Sequence, residues 1–477
     1  MTKQTNDREK GSLRSAVTFV TTALLFCAVL IATNYKSLTL TNSFIMVGCV
    51  LMFMGSLTFY VYYYDREVAK NSRKVATLCT TMLVSYALIW VSANVIGVAE
   101  VAPFALCSLI VSLLVSNKSN FFANFIVIIF YYLQSINFQS GSVSFVESDF
   151  FVLFAGITCA VIASYAMRRY YARLAYVLVG LVLSALTVVC RLLIYLMANE
   201  VADWLVIYPS LLFGLASGVV TVILLFFLLP VFERIFNVVS PFRFAEIATT
   251  NNAIMRKLYE TAPGTFNHSL TVANYVEACA SAIGESTFLA RAVAYYHDIG
   301  KMKNPGYFTE NQTDGVNPHD QITPESSVSI IKSHTSYGLA LAKQYKLPVE
   351  IQRAIVEHHG TMPLKFFYLK AKKYTDGDLP YAAYSYDGPK PSSKIAAILM
   401  ICDACEAALR SMNDKNRAEK IVDDIVDERM RFNQFVECDI TMQEIDVIKN
   451  TILTTYMGIK HKRIQYPKIK LDAEGNK

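Results

Sequence analysis

Before Phe236 the sequence is a succession of eight apolar runs, at roughly 16–35, 44–64, 75–95, 101–116, 121–137, 150–167, 174–197 and 204–229. About 20 apolar residues in helical conformation cross the hydrocarbon core of a bilayer. Most of the runs approach that length, so the first half predicts a polytopic helical membrane bundle of about eight spans. The fourth, fifth and sixth are short, which leaves seven as the alternative count. The chain is 54% hydrophobic, and the excess sits in this half while the remainder has ordinary polar usage.

Loop charges orient the bundle. Lys3, Arg8, Lys10 and Arg14 precede the first run, Arg66, Lys70, Arg73 and Lys74 follow the second, and Arg168, Arg169 and Arg173 follow the sixth. The alternate loops carry Glu100, Glu147, Asp149, Glu200 and Asp203, with Lys36 as their one basic residue. Lys and Arg accumulate on the cytoplasmic side of membrane proteins. The N-terminal segment 1–15 is therefore expected in the cytoplasm, and an even number of spans returns the second half to the same side. The first run is long and has no clear small-residue cleavage site, which favours an anchor over a cleaved signal peptide. Arg191 lies inside the seventh run, where a charge is costly. It either pairs with a carboxylate of the bundle or meets a membrane lipid head group.

Other broad classes recede. The net charge is only +6, with much of the basic excess in those loops, so no DNA or RNA polymer is expected as a partner. Of ten cysteines, Cys27, Cys49, Cys79, Cys107, Cys159 and Cys190 lie within apolar runs, where Cys acts as a small hydrophobe. Cys402 and Cys405 form a CxxC without a second one, which favours reduced thiols over a metal or redox motif.

Beyond Phe236 the pattern is amphipathic and helical, so the expected fold class is all-α throughout. Helices are predicted over 267–283, 287–298, 324–345, 348–359, 392–409, 417–435 and 441–461, with 371–391 as a loop. The chain then divides into the cytosolic segment 1–15, a multi-span region 16–236, a cytosolic domain 237–467 and a polar tail 468–477.

That second domain concentrates the chemistry. Six of the seven histidines lie between His268 and His359. His268, His297, Asp298, His334, His358, His359 and Asp403 are ligand types that suit first-row metals. They are too many for one tetrahedral site, but they suit two metals sharing a carboxylate. Asp298 has two oxygens to share. His268, His297 and Asp403 would complete one metal's ligands; His334, His358 and His359 would complete the other's. Two divalent cations lower the pKa of a shared water and neutralise phosphoryl charge, which suits attack on a phosphodiester. Lys301, four residues after His297, would set a positive charge against a phosphate oxygen as a substrate-binding and catalytic group. His319 and His461 read as ordinary polar histidines, although the turn around His319 is able to approach the site. Phe366, Phe367 and Tyr368 either stack on a base or belong to the core.

The spacing H-x28-HD-x35-H-x23-HH-x43-D, centred on His297-Asp298-Ile299-Gly300-Lys301, resembles the two-metal HD-domain phosphohydrolases. Further stretches make the likeness narrower: 263–269, Glu310-Asn311-Gln312, Asn317-Pro318-His319, His358-His359-Gly360-Thr361, Gly388-Pro389-Lys390-Pro391, 463–467 and Leu229-Pro230-Val231-Phe232-Glu233 resemble the seven-transmembrane HD family. That resemblance implies hydrolysis of cyclic di-AMP to linear pApA at the bacterial inner membrane, with the HD domain cytoplasmic. It also implies two Fe or Mn ions on the residues already divided above, with Asp298 serving both. The Gly-Tyr-Pro motif of the cyclic di-GMP enzymes is absent, since Gly360-Thr361-Met362-Pro363 follows the paired histidines. Phe266 replaces a common Tyr. The large external domain of the family is also missing: only Lys36 to Ser43 stand in its place. The chain is thus either a short member or one that starts inside a longer gene, and external sensing is in doubt. Cyclic di-GMP or (p)ppGpp as substrate, or a nucleotide receptor without turnover, are the rival readings. A homodimer is compatible with this layout.

Overall fold

The computed structural model describes residues 2–34, 39–135, 147–167, 173–199, 203–312, 315–374, 378–410, 412 and 415–459. Lys36, Arg168, Arg169, Glu200, His461, the 463–467 stretch and the 468–477 tail lie outside these residues. Among the described residues the chain is all-α, with a single isolated β-bridge between Pro363 and Ser385. It divides into two compact units, Met1–Phe242 and Arg243–Lys477.

In the first unit each apolar run is a helix. Among the described residues six are long and apolar enough to cross a membrane: Leu13–Thr33, Leu40–Tyr64, Ser72–Val95, Glu147–Ala166, Leu174–Ala198 and Ile207–Phe236. Two are shorter, Ala99–Leu114 and Asn120–Ser135. The sixth run, expected to be short, is therefore full length, while the fourth and fifth are short as expected. The fourth begins in a 3-10 turn at Ala99–Val101, and Pro103 separates that turn from the helix Leu106–Leu114.

The helix Leu40–Tyr64 shows how these segments are used. Met46, Val50, Met54, Leu57 and Val61 recur at helical spacing and are buried. On its other faces Phe44, Ile45, Leu51, Met52 and Phe59 are more than half exposed. Apolar residues on every face are the pattern of a helix long and apolar enough to cross a membrane. Two later helices cross closely where both carry glycine. A Cβ on Gly218 would stand 1.9 Å from the carbonyl oxygen of Gly180, and Ser184 Oγ donates to Leu215 O at 2.6 Å beside it. Small residues of this kind let membrane helices approach through their backbones.

Arg191 is paired within the bundle. Its Nε lies 3.0 Å from Glu100 Oε1 and its Nη1 2.6 Å from Glu147 Oε1. Of the two expectations for this residue, the carboxylate pair is the one realised.

The second unit is built from capped helices. Ser286, Thr323 and Ser393 each accept a backbone N–H of the first turn through the side-chain oxygen, which satisfies donors a helix start leaves free. The observed helices are Pro263–Ala282, Thr287–Tyr296, Pro324–Gln344, Val349–Glu357, Lys394–Leu409, Lys415–Arg431 and Met442–Ile459. Three more were not expected: Pro241–Ile247, which begins before the unit boundary, Ala253–Thr261 and Lys365–Lys372. The last overlaps the start of the 371–391 loop, and a 3-10 turn at Tyr381–Tyr384 interrupts that loop. Phe367 and Tyr384 pack there with Val328 and Ala371 in a small satellite core, whereas Phe366 is exposed. The core reading of the aromatic run therefore holds for Phe367, while Phe366 lies at the surface.

Candidate metal centre

Asp298 occupies the break between two backbone conformations. The helix Thr287–Tyr296 ends, His297 follows at its C-terminal boundary, and a 3-10 turn Ile299–Lys303 begins after Asp298. That break turns both side chains toward one interior point. His268 comes from the middle of Pro263–Ala282, His334 from Pro324–Gln344 and Asp403 from Lys394–Leu409. His358 and His359 leave the end of Val349–Glu357, where Gly360, at a φ of +51°, reverses the chain. Gly300 permits the closest approach, since a Cβ there would meet the carbonyl oxygen of His334 at 1.8 Å.

The two oxygens of Asp298 face different histidines. Oδ1 is 3.5 Å from His334 Nε2 and 3.6 Å from His358 Nε2. Oδ2 is 3.1 Å from His297 Nε2 and 3.7 Å from His268 Nε2. Asp403 Oδ1 closes the second set at 2.9 Å from His268 Nε2 and 3.6 Å from His297 Nε2. Its Oδ2 is 3.8 Å from His359 Nδ1. Two groups result, Asp298–His334–His358–His359 and His268–His297–Asp298–Asp403, each with potential ligand atoms within 4.8 Å of one another.

The donors fit divalent cations. Ligand atoms about 2.1 Å from one ion and at a right angle to each other stand roughly 3.0 Å apart, close to the spacings found. His297 Nε2 and Asp298 Oδ1 are buried and lack a hydrogen-bond partner. Nδ1 of His297, His334 and His358 lies 2.8, 2.6 and 2.9 Å from the carbonyl oxygens of Ala294, Ile331 and Ile355. A ring that donates through Nδ1 keeps a lone pair on Nε2, the atom turned inward here.

Charge is unevenly held. Burial would raise Asp298 and Asp403, yet the imidazoles beside both, and Lys301 beside Asp298, keep each carboxyl well below its usual range. Burial and the neighbouring His358 and Lys301 push His334 down to about 4, against the pull of Asp298. Lys301 Nζ lies 2.7 Å from Asp298 Oδ2 and 2.8 Å from Glu310 Oε1. Burial opposes its charge, but these carboxylates overcome that and raise it. Most of the ligand side chains are sealed; His359 is the most open at 23%, with Asp403 at 13% and Lys301 at 12%. Solvent therefore reaches the site from the side of these three residues.

Sequence reasoning left several neighbours without a role. Glu310 anchors Lys301 and also accepts from Thr265 Oγ1 at 3.1 Å. Glu406 lies against His268 Nδ1 at 2.6 Å. The ring of Tyr386 stacks on His359, with centroids 4.3 Å apart. Asp403-x-x-Glu406-x-x-x-Arg410, an acidic and basic series at helical spacing, was a legible signal for the second of these. His319 sits outside both ligand groups, its Nε2 2.9 Å from Tyr307 O and its ring against Phe367. Cys402 and Cys405 are buried and unpaired by a disulfide, and neither belongs to a potential ligand group among the described residues.

Residues 265–408 match the model of the HD domain, and residues 37–240 match that of the 7TM receptor with intracellular HD hydrolase. The latter range contains seven of the eight apolar helices, the two short ones included. The chain is 36% identical over 430 residues to the cyclic-di-AMP phosphodiesterase PgpH of Listeria monocytogenes, covering 88% of this chain and 58% of that protein. With the Bacillus subtilis protein of the same description it shares 34% over 433 residues, covering 89% and 59%. It thus spans somewhat under three-fifths of the length of these relatives. The solved HD domain of the Listeria protein in complex with cyclic-di-AMP is 46% identical, covering 44% of this chain and 99% of that one, with a TM-score of 0.43.

Proposed function

From the premise that this chain belongs to the family of seven-transmembrane receptors with an intracellular HD hydrolase, we propose that it is a membrane-anchored phosphodiesterase. Its substrate is cyclic di-AMP and its product linear 5'-pApA. The observation that carries this reading is the division of Asp298, with one carboxylate oxygen facing His334 and His358 and the other facing His297 and His268. A carboxylate so placed would serve two cations at once, one through each oxygen. The base preference rests on the relatives described as cyclic-di-AMP phosphodiesterases.

His268, His297, Asp298 and Asp403 would hold one divalent cation, and Asp298, His334, His358 and His359 the other. Imidazole with carboxylate suits iron or manganese. Such a pair of cations, when bound, acidifies water and offsets charge on phosphoryl oxygens. The chain's own residues do the rest. Backbone carbonyls fix three imidazoles with Nε2 inward. Lys301 locks Asp298 in place and adds a permanent positive charge on the open side, where a phosphodiester enters. Deep burial of the remaining ligands keeps bulk water from competing there.

The chain is a multi-pass membrane protein. Arg66 and Lys70 between the second and third spans, with Arg73 and Lys74 in the first turn of the third, support a cytoplasmic N-terminus at the inner membrane. Eight spans then keep the HD unit cytoplasmic, where the nucleotide is. Contact with membrane lipid follows from the exposed apolar faces, and a homodimer is compatible with them.

The test is hydrolysis by the full-length chain in detergent, loaded anaerobically with Mn(II) or Fe(II), on cyclic di-AMP, cyclic di-GMP and (p)ppGpp in parallel. Linear pApA as the dominant product, lost with chelator, is the expected result. Faster turnover of another nucleotide would overturn the substrate, and no turnover with two metals bound would overturn the activity.

A further inference from the structure

Of the five candidate imidazoles, three are oriented alike. His297, His334 and His358 each direct Nδ1 at a carbonyl oxygen three residues earlier in the chain. A carbonyl is a neutral acceptor that does little more than fix the tautomer. His268 instead has Nδ1 2.6 Å from Oε2 of Glu406, a buried carboxylate, while its Nε2 faces Asp403 Oδ1 at 2.9 Å. Glu406 is itself held by Arg410, which donates from Nε to Oε1 at 3.1 Å and from Nη2 to Oε2 at 2.7 Å. This two-pronged contact fixes the carboxylate in plane and in charge. Asp403, Glu406 and Arg410 stand at i, i+3 and i+7 of one helical face. That face therefore brings one carboxylate to each nitrogen of His268.

We infer that Glu406, held by Arg410 whose Nη2 also lies 3.1 Å from His268 Nδ1, is a positioning residue that makes His268 a stronger donor than the carbonyl-held His297, His334 and His358. It thereby sets the affinity of the His268–His297–Asp298–Asp403 group for its divalent cation. The inference rests on the two-cation reading above. An imidazole that shares its N–H with a carboxylate carries more electron density on the opposite nitrogen, and partners of this kind change metal affinity by about 10–100-fold. The facing group, with His334 and His358 on carbonyls, has weaker support. The two positions are consequently unequal, and dilution or mild chelation empties the His334–His358–His359 position first.

Mn(II) titration of the metal-free full-length chain in detergent, read by calorimetry and by electron paramagnetic resonance, tests this. Wild type is expected to bind two Mn(II) per chain with unequal affinity. Glu406→Gln should weaken the tighter event roughly 10–100-fold and leave the other unchanged, and Arg410→Lys should shift the same event by less. Unchanged affinities in both variants, or equal weakening of both events, would overturn the inference, the former even if the metal-free protein melts lower. Should Glu406→Gln fail to fold, Arg410→Lys decides by the same criterion. Wild-type protein that takes up fewer than two Mn(II) would instead overturn the two-cation reading itself.

Discussion

Nε2 of His334 lies 3.3 Å from Nε2 of His358, and the Nδ1 of each ring is turned to a backbone carbonyl. Both facing nitrogens therefore carry lone pairs, which repel at that range unless a cation lies against both. Cation binding should stabilise the second unit strongly. A ligand at a hundredfold excess over its Kd adds about 2.7 kcal/mol per site. In a unit of this size that raises Tm by roughly 5–10 °C. Thermal melts of the full chain in EDTA and in Mn(II) measure it, and coincident curves would count against the ligand assignment.

Lys301 bridges Asp298 and Glu310, so its removal has two consequences that separate cleanly. Lys301→Met should lower kcat roughly a hundredfold by deleting one charge near the phosphoryl group, whereas Asp298→Ala should leave no measurable turnover. Lys301→Met should also cost about 3 kcal/mol, because Asp298 and the largely buried Glu310 then lose the cation they share. Adding Glu310→Gln should recover much of that stability and none of the rate. Recovery of both would show that Lys301 acts through folding alone.

The parts of this protein that were readable from sequence are those set by single-element patterns. Apolar runs, the amphipathic stretches of the second half and the spacing from His268 to Asp403 are all local or periodic, and the helices followed to within a few residues at most ends. What escaped depends on meetings between distant segments. Arg191 announced a partner without saying that Glu100 and Glu147 would supply it. Glu310 and Tyr386 look like loop residues until the turns that carry them fold against Lys301 and His359. The short helix Lys365–Lys372 was missed because its aromatic and basic residues satisfy no simple stripe, only Phe367 and Ala371 being buried.

Gly300 offers a geometric test of how the two ligand groups are held together. A Cβ at this position would lie 1.8 Å from His334 O and 2.6 Å from Gly338 N. Gly300→Ala must therefore push the turn after Asp298 away from the helix that carries His334. Overpacking of this kind costs about 3 kcal/mol, or roughly 6–12 °C of Tm, and should weaken the His334–His358–His359 position before the other. Gly306→Ala is the matched control, because nothing lies within 4 Å of its added Cβ. Equal behaviour of the two variants would show that the close approach is not structural.

Glu444 links acid stability to the helix that carries Asp403. Its Oε2 accepts from Thr441 N at 2.8 Å while Thr441 Oγ1 accepts from Glu444 N at 3.2 Å, a reciprocal cap. Its Oε1 pairs with Lys394 at the start of Lys394–Leu409. Burial opposes the charge, but Lys394 and Thr441 together outweigh it and lower the carboxyl below its ordinary value. A carboxyl lowered in the folded state contributes stability that is present above its unfolded pKa and is lost as pH falls through the folded one. Glu444→Gln keeps the shape of the cap and removes the charge, so it should melt slightly below wild type at about pH 7, with the gap narrowing as pH falls below the ordinary glutamate range. Protonation of the metal ligands in acid affects both proteins alike, which leaves the difference between them as the reading for Glu444. A gap that widens in acid would reverse the sign of this linkage.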